Sequence, residues 1–200
     1  DGPDWAGRDL EDPERRARKD DETLLLAGRI PVAGSRGHGL RPARPDVLIR
    51  LASAPSAAAA YVCVDSLLAA LPAATVQVPS AYAALFAADQ RVTAADPAAR
   101  GDAEPADRGG AETPARVVID VPNAVRVDRA AKELRDAVAT VGTGTVGTVL
   151  LGEVRVDSAR ARARRTVWGE DLFETRTRDA EGLDPLPADP GLAGYLGGWS

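Results

Sequence analysis

Hydrophobic and polar positions follow their most regular pattern between Arg116 and Arg178. A short apolar run, RVVIDV, predicts a strand. VDRAAKELRDAVATV has helical spacing: Ala131, Leu134 and Val138 line one face, Ala130 and Val141 flank it, and Lys132, Glu133, Arg135 and Asp136 face water. Asp128 suits the N-cap, and Gly142 suits the residue just past the helix end. After GTGTVG, Val146, Leu150, Val154 and Val156 alternate with Glu153, Arg155 and Asp157, the period of a strand rich in β-branched residues. SARARARRTVWGEDLFETRTR then brings an Arg stripe and a second alternating run. The expectation is strand, helix, strand, strand, closing as a long hairpin that turns at Asp157 and Ser158. A two-residue turn there sets Arg155 opposite Arg160, a like-charge pair that disfavours this register.

The patterns upstream are shorter. TLLLAGRIPV is an apolar run stopped by Pro31 and reads as a strand. A Gly, Pro and Arg loop follows, and DVLIRLA reads as a second strand, with Val47, Ile49 and Leu51 on one face and Leu48 on the other. APSAAAAYVCVDSLLAALP predicts a helix capped by Ser56 and stopped by Pro72, with Tyr61, Val64, Leu68 and Leu71 on one face. In ATVQVP, Val76 and Val78 share a face. Ser80 is placed to cap a further short helix whose apolar side is Tyr82, Leu85 and Phe86.

These elements predict an α+β fold: a mixed or antiparallel sheet with two to four short helices, a long C-terminal β-hairpin and irregular terminal arms. Residues 1–22 form a charged arm, 23–93 an α/β lobe, 94–115 a linker or long loop without periodicity, 116–178 a β-α-β-β unit, and 179–200 an extended C-terminal strap. The strap has too many Pro and Gly residues for regular structure. Its apolar residues, among them Leu183, Leu186, Leu192, Tyr195 and Trp199, point to docking on a surface, the chain's own or a neighbour's.

Composition sharpens this picture in two ways. Hydrophobic residues make up 44% of the 200 positions, but aromatic residues only 4%, and much of the rest is Ala. Each Ala buries little area, so a thin core is expected, completed by a partner. The net charge of −5 is arranged in blocks. Residues 1–22 carry nine acids and five bases, and residues 23–50 carry five Arg against one Asp. Residues 155–178 carry seven Arg against four acids, and residues 179–200 carry four acids and no base. Complementary blocks in one chain suit docking to protein partners more than binding nucleic acid, which favours a basic domain. No apolar run reaches transmembrane length, and no signal peptide is recognisable. A chain without Met that starts at Asp1 reads as a processed product or a fragment.

Residue types for chemistry are scarce. GTGTVG, with Gly142, Gly144 and Gly147, matches G-x-G-x-x-G and locally resembles the phosphate-binding turn of nicotinamide-dependent dehydrogenases. In those proteins a strand precedes the turn and a helix follows. Here the order is reversed, and no acid falls about 20 residues on. His38 is the single histidine; Ser35 and Asp46 could join it, or Cys63 could. The first trio sits in a Gly and Pro loop, and Cys63 sits inside an apolar helix, where a buried inert thiol is commoner. One His and one Cys exclude the usual transition-metal sets, and the acids lack calcium-loop spacing. Glu170 and Asp171 are paired carboxylates whose default role is solvation. No cofactor, metal or catalytic residue is therefore assigned.

The best interaction feature is ARARARR. As a strand it puts Arg160, Arg162 and Arg164 on one face; the other reading is a helical turn capped by Ser158. Trp5, Tyr195 and Trp199 are the candidate anchors in the tails. Together these features suggest a non-enzymatic structural subunit of a larger assembly, such as a viral or phage particle, that associates with copies of itself or other subunits. The alternative is a nucleotide-binding α/β enzyme, or enzyme subunit, using the GTGTVG turn.

Overall fold

The alternation of VLIRL becomes the central strand of the molecule. The computed structural model describes Leu24 and residues 45–95, 115–128, 131–143, 146–169 and 173–196. Within it, β1 (Val47–Leu51) buries Val47, Ile49 and Leu51 and leaves Leu48 half-buried. It pairs in parallel with β2 (Thr75–Val78) on one side and with β4 (Val117–Val121) on the other. β3 (Val92–Ala94) lies outside β2, also parallel. β7 (Val154–Ser158) runs antiparallel between β4 and β6 (Val146–Leu151), and β8 (Glu174–Arg178) closes the sheet parallel to β6. The seven strands stand in the order β3-β2-β1-β4-β7-β6-β8, a mixed sheet. Four α-helices and a small antiparallel sheet complete the described residues as an α+β fold.

The register gives the sheet two different faces. Ile49, Val76, Ile119, Val149 and Val156 share one face and join a single buried cluster with residues of α1 (Ala57–Ala70) and α2 (Lys132–Thr143). The opposite face carries Arg50, Asp120, Arg155, Asp157 and Thr148. Such a sheet is hydrophobic on one side and must bury that side under helices.

Ser56 caps α1, its Oγ accepting from the Ala59 N–H at 3.1 Å, and Pro72 follows the C-cap Leu71. Tyr61, Val64 and Leu68 are buried, and so are Val62, Cys63 and Leu67. A helix that is apolar all round needs cover on every side. The cover comes from a two-stranded antiparallel sheet of β5 (Val125–Val127) and β9 (Leu183–Pro185) and from α4 (Leu192–Tyr195). Leu183 and Leu192 belong to the same buried cluster as α1. Among the described residues of the strap, Leu183, Leu186, Leu192, Tyr195 and Leu196 thus dock on the chain's own body, and part of the strap is regular structure after all.

Other expectations change in detail. Leu24, inside the run read as a strand, is helical; the rest of that run lies outside the described residues. The helix after Pro79 is a 3₁₀ helix (Ser80–Phe86), and Ser80 is its first residue rather than its cap. Its Phe86 stacks on Tyr61 with ring centroids 5.9 Å apart. α2 runs on to Thr143, so Gly142 lies inside its last turn. The hairpin turns at Gly152 and Glu153, five residues before Asp157 and Ser158, because Leu151 pairs with Val154 and Gly152 supplies a φ of 58°. Arg155 then faces Asp120 instead of Arg160, which removes the like-charge clash.

ARARARR lies in α3 (Ala159–Trp168), not in a strand. Ser158 Oγ accepts from Ala161 N–H at 3.1 Å, and Gly169, at φ 67°, ends the helix. Alternating Ala and Arg mimics a strand period, but both are strong helix formers, and the cap decides the outcome.

Candidate functional site

The parallel half of the sheet reverses direction at β1. The chain builds outward from β1 to β2 and β3, then returns to lay β4 on the other side of β1. The loops after β1 and β4 leave side by side at the carboxyl ends of these strands, where the Ala52 N–H donates to the Val121 carbonyl at 2.9 Å. In open sheets with parallel strands, ligands bind at such a switch point.

Three polar side chains are strung across this crest. Ser53, just after β1, donates its hydroxyl to Asn123 Oδ1 at 3.1 Å. Asn123, just after β4, donates its amide to Glu153 Oε2 at 3.1 Å. Glu153 comes from the β6–β7 turn. All three are exposed, so the row is an open shelf. The α1 N-terminus borders it, and Ser56 Oγ, besides capping the helix, donates to the Ala188 carbonyl at 2.5 Å. Tyr82, from the 3₁₀ helix, fixes the same loop by donating to the Ala54 carbonyl at 2.9 Å. The shelf thus offers hydroxyl, amide and carboxylate groups beside a helix N-terminus, the residue types that hold a ribose and phosphates.

The GTGTVG motif sits elsewhere. Gly142 belongs to α2 and Gly147 to β6; Gly144 lies outside the described residues. A Cβ on Gly147 would collide with Phe173 and come within 2.7 Å of the Ala161 Cβ. Here glycine lets α3 and Phe173 close on the strand. The turn is approached from a helix and left by a strand, so its N–H groups do not open a helix.

The Arg stripe divides in two. Arg162 and Arg165 face the sheet; Arg162 Nη1 donates to Asp120 Oδ2 at 2.8 Å, and Arg165 Nη2 donates to Thr148 Oγ1 at 3.1 Å. Asp157, buried below them, accepts from Thr148 at 2.6 Å and from Arg155 at 2.9 Å. Arg160 and Arg164 are exposed, with Arg160 5.8 Å above the Phe173 ring. Tyr195 donates to Asp65 Oδ2, a carboxylate with no exposure, at 2.7 Å. Arg160, Arg162, Arg164 and Tyr195 therefore form no single surface. Trp5 and Trp199 lie outside the described residues, as do Ser35, His38, Glu170 and Asp171. Cys63 is fully buried, and burial pushes its thiol pKa up to about 12, so it is held as an unreactive thiol.

Among the described residues no group of three or more His, Cys, Asp or Glu side chains could hold a metal ion. Among them, too, no helix is long and apolar enough to cross a membrane. Comparison with known proteins finds no matching family model, no matching curated protein and no matching solved structure. The site therefore rests on topology and on the side chains themselves. Sequence reasoning missed Ser53, Asn123 and Glu153; the pairing of β4 with β1 and with β7 brings them together.

Proposed function

We propose that this chain is a nucleotide-binding protein, an enzyme or a subunit of one, that takes a phosphate-bearing nucleotide on the crest where β1 and β4 part. The observation that carries this reading is the reversal of strand order at β1, which sets the carboxyl ends of two neighbouring parallel strands side by side. The phosphates meet the N–H groups and the positive dipole end of α1. Ser53 and Asn123 supply hydrogen bonds, and Glu153 accepts from ribose hydroxyls. The GTGTVG turn takes no part. Isothermal titration with ADP, GDP, UDP and NAD, each with and without Mg²⁺, tests the reading. Saturable binding of at least one, weakened tenfold or more in Asn123→Ala at unchanged melting temperature, is expected. No heat from any of them at millimolar concentration would overturn it.

A second reading, a non-enzymatic subunit of a larger protein assembly, is favoured by one observation. β8 ends the sheet, and the side chains of Glu174, Thr175, Arg176 and Thr177 are all exposed. An edge strand uncovered on both faces offers backbone groups to another chain. Light scattering after size-exclusion chromatography decides this: a monomer at all concentrations speaks against it.

A further inference from the structure

The seven-stranded sheet ends in two unlike edges. At one, β3 is three residues long, and its Val92 and Thr93 are half-buried. At the other, β8 is five residues long, carries no Pro, and exposes Glu174, Thr175, Arg176 and Thr177. β6 pairs with one side of β8 along its whole length. The other side is an edge to which a further strand can add. Glu174 and Arg176 share one face of β8, where the carboxylate accepts from Arg176 Nε at 2.6 Å and from Nη2 at 3.0 Å. A carboxylate has about four lone-pair sites, so this one can take a second guanidinium.

Charge on an edge strand usually discourages pairing. On β8 the charge pattern leaves one self-pairing open. Directly opposite residues of an antiparallel pair point to the same face, and like charges there repel. A two-fold axis perpendicular to the sheet therefore passes through a residue and sets it against its own copy. Centred on Glu174, the pairing opposes Glu to Glu; centred on Arg176 or Arg178, it opposes Arg to Arg. Centred on Thr177, it opposes Arg176 to Arg178 twice. Centred on Thr175, it sets Thr against Thr and Glu174 against the second copy's Arg176, twice over. Parallel pairing in register sets every charge against itself.

We infer that β8 pairs antiparallel with β8 of a second copy of this chain, centred on Thr175, so that two copies share one continuous sheet. The two Glu174–Arg176 pairs then meet as a ring of alternating charge on one face. This inference rests on the assembly reading and names the partner of its edge strand. Two-fold pairing uses up the β8 edge of both copies, so the dimer does not grow through it.

The test is analytical ultracentrifugation of the full chain and of the variants Glu174→Arg and Arg176→Glu over a range of concentrations. The unaltered chain should form dimers and nothing larger. Each variant turns two favourable cross-strand pairs into two unfavourable ones and should weaken dimerisation about tenfold or more. Mixed in equal amounts, the two variants should form a heterodimer with nearly the unaltered affinity, because each new charge then meets its opposite. Should a variant fail to fold, amide exchange of the unaltered chain decides: protection at residues 174–177 should rise with concentration. Dimers that persist in both folded variants, a mixture of them that stays monomeric, or a dimer without added protection at β8 overturns the inference and leaves the assembly reading standing. A monomer at every concentration of the unaltered chain overturns both.

Discussion

Gly147→Ala is the substitution that most clearly separates a packing glycine from a phosphate-binding one. A methyl at this point of β6 would collide with Phe173 and approach the Ala161 Cβ to 2.7 Å. Neither neighbour is the free end of a flexible chain. Ala161 is buried in the first turn of α3, and Phe173 sits beneath Arg160. Relief requires α3 to move off the sheet, which stretches the Arg162–Asp120 bond of 2.8 Å and the Arg165–Thr148 bond of 3.1 Å. Overpacking of this kind costs about 1–3 kcal/mol, and weakening the two bonds puts the value at the upper end. Gly142→Ala provides the contrast. The atoms nearest its new Cβ belong to the Arg116 guanidinium, from 3.4 Å, a group that can swing aside, and the position is helical. Replacing a helical Gly with Ala gains about 0.5–1 kcal/mol, so this variant should be neutral or slightly more stable. Urea denaturation followed by circular dichroism measures both midpoints. Equal stability of Gly147→Ala and the unaltered chain would refute the packing role, and a selective loss of nucleotide binding in both variants would restore the phosphate-turn reading.

Three further predictions concern stability. Arg91 and Asp89 are almost fully buried and form a two-pronged pair, with Arg91 Nε on Asp89 Oδ1 at 3.0 Å and Nη2 on Oδ2 at 2.9 Å; Arg91→Ala removes both guanidinium bonds and the buried carboxylate's counter-charge and should cost about 3–5 kcal/mol in urea midpoint analysis, whereas Lys132→Ala, which breaks an exposed pair with Asp136, should change stability by no more than about 0.5 kcal/mol. Cys63 should resist a thiol reagent at pH 8 until the chain is unfolded. Because burial raises its pKa from 9.0 to about 12, the folded state holds a proton that the unfolded state has lost between those values, so denaturation midpoints should fall as pH rises through that window; a flat profile contradicts its burial. Ser56→Ala removes both the α1 cap and the bond to Ala188 and should cost about 1–2 kcal/mol, read from the same midpoints; a loss below that range contradicts the cap.

What could be read from the sequence depended on how local each determinant was. β1 and α1 were legible because alternation, the Ser56 cap and Pro72 all lie within or beside the elements. The hairpin turn was readable in principle: Gly152 and Glu153 stand between VLL and VRV, with Gly at the first turn position, but the unbroken alternation across them suggests one longer strand. α3 was misleading because its Ala–Arg alternation has the period of a strand, while propensity and cap favour a helix. β5 is three residues long and is stabilised by Leu183–Pro185, far along the chain, so no local signal marks it. The crest is the extreme case. Ser53, Asn123 and Glu153 are ordinary loop residues in sequence, and only the pairing of β4 with β1 on one side and β7 on the other makes them neighbours.

The amide spectrum of the isotope-labelled chain, titrated with the tightest-binding nucleotide of the calorimetric panel, bears most directly on the crest. The account predicts saturable shifts concentrated at residues 52–59, 122–124 and 152–154, with residues 142–147 unmoved. Shifts centred on 142–147 and absent from the crest, or no shift at any nucleotide concentration, contradict it.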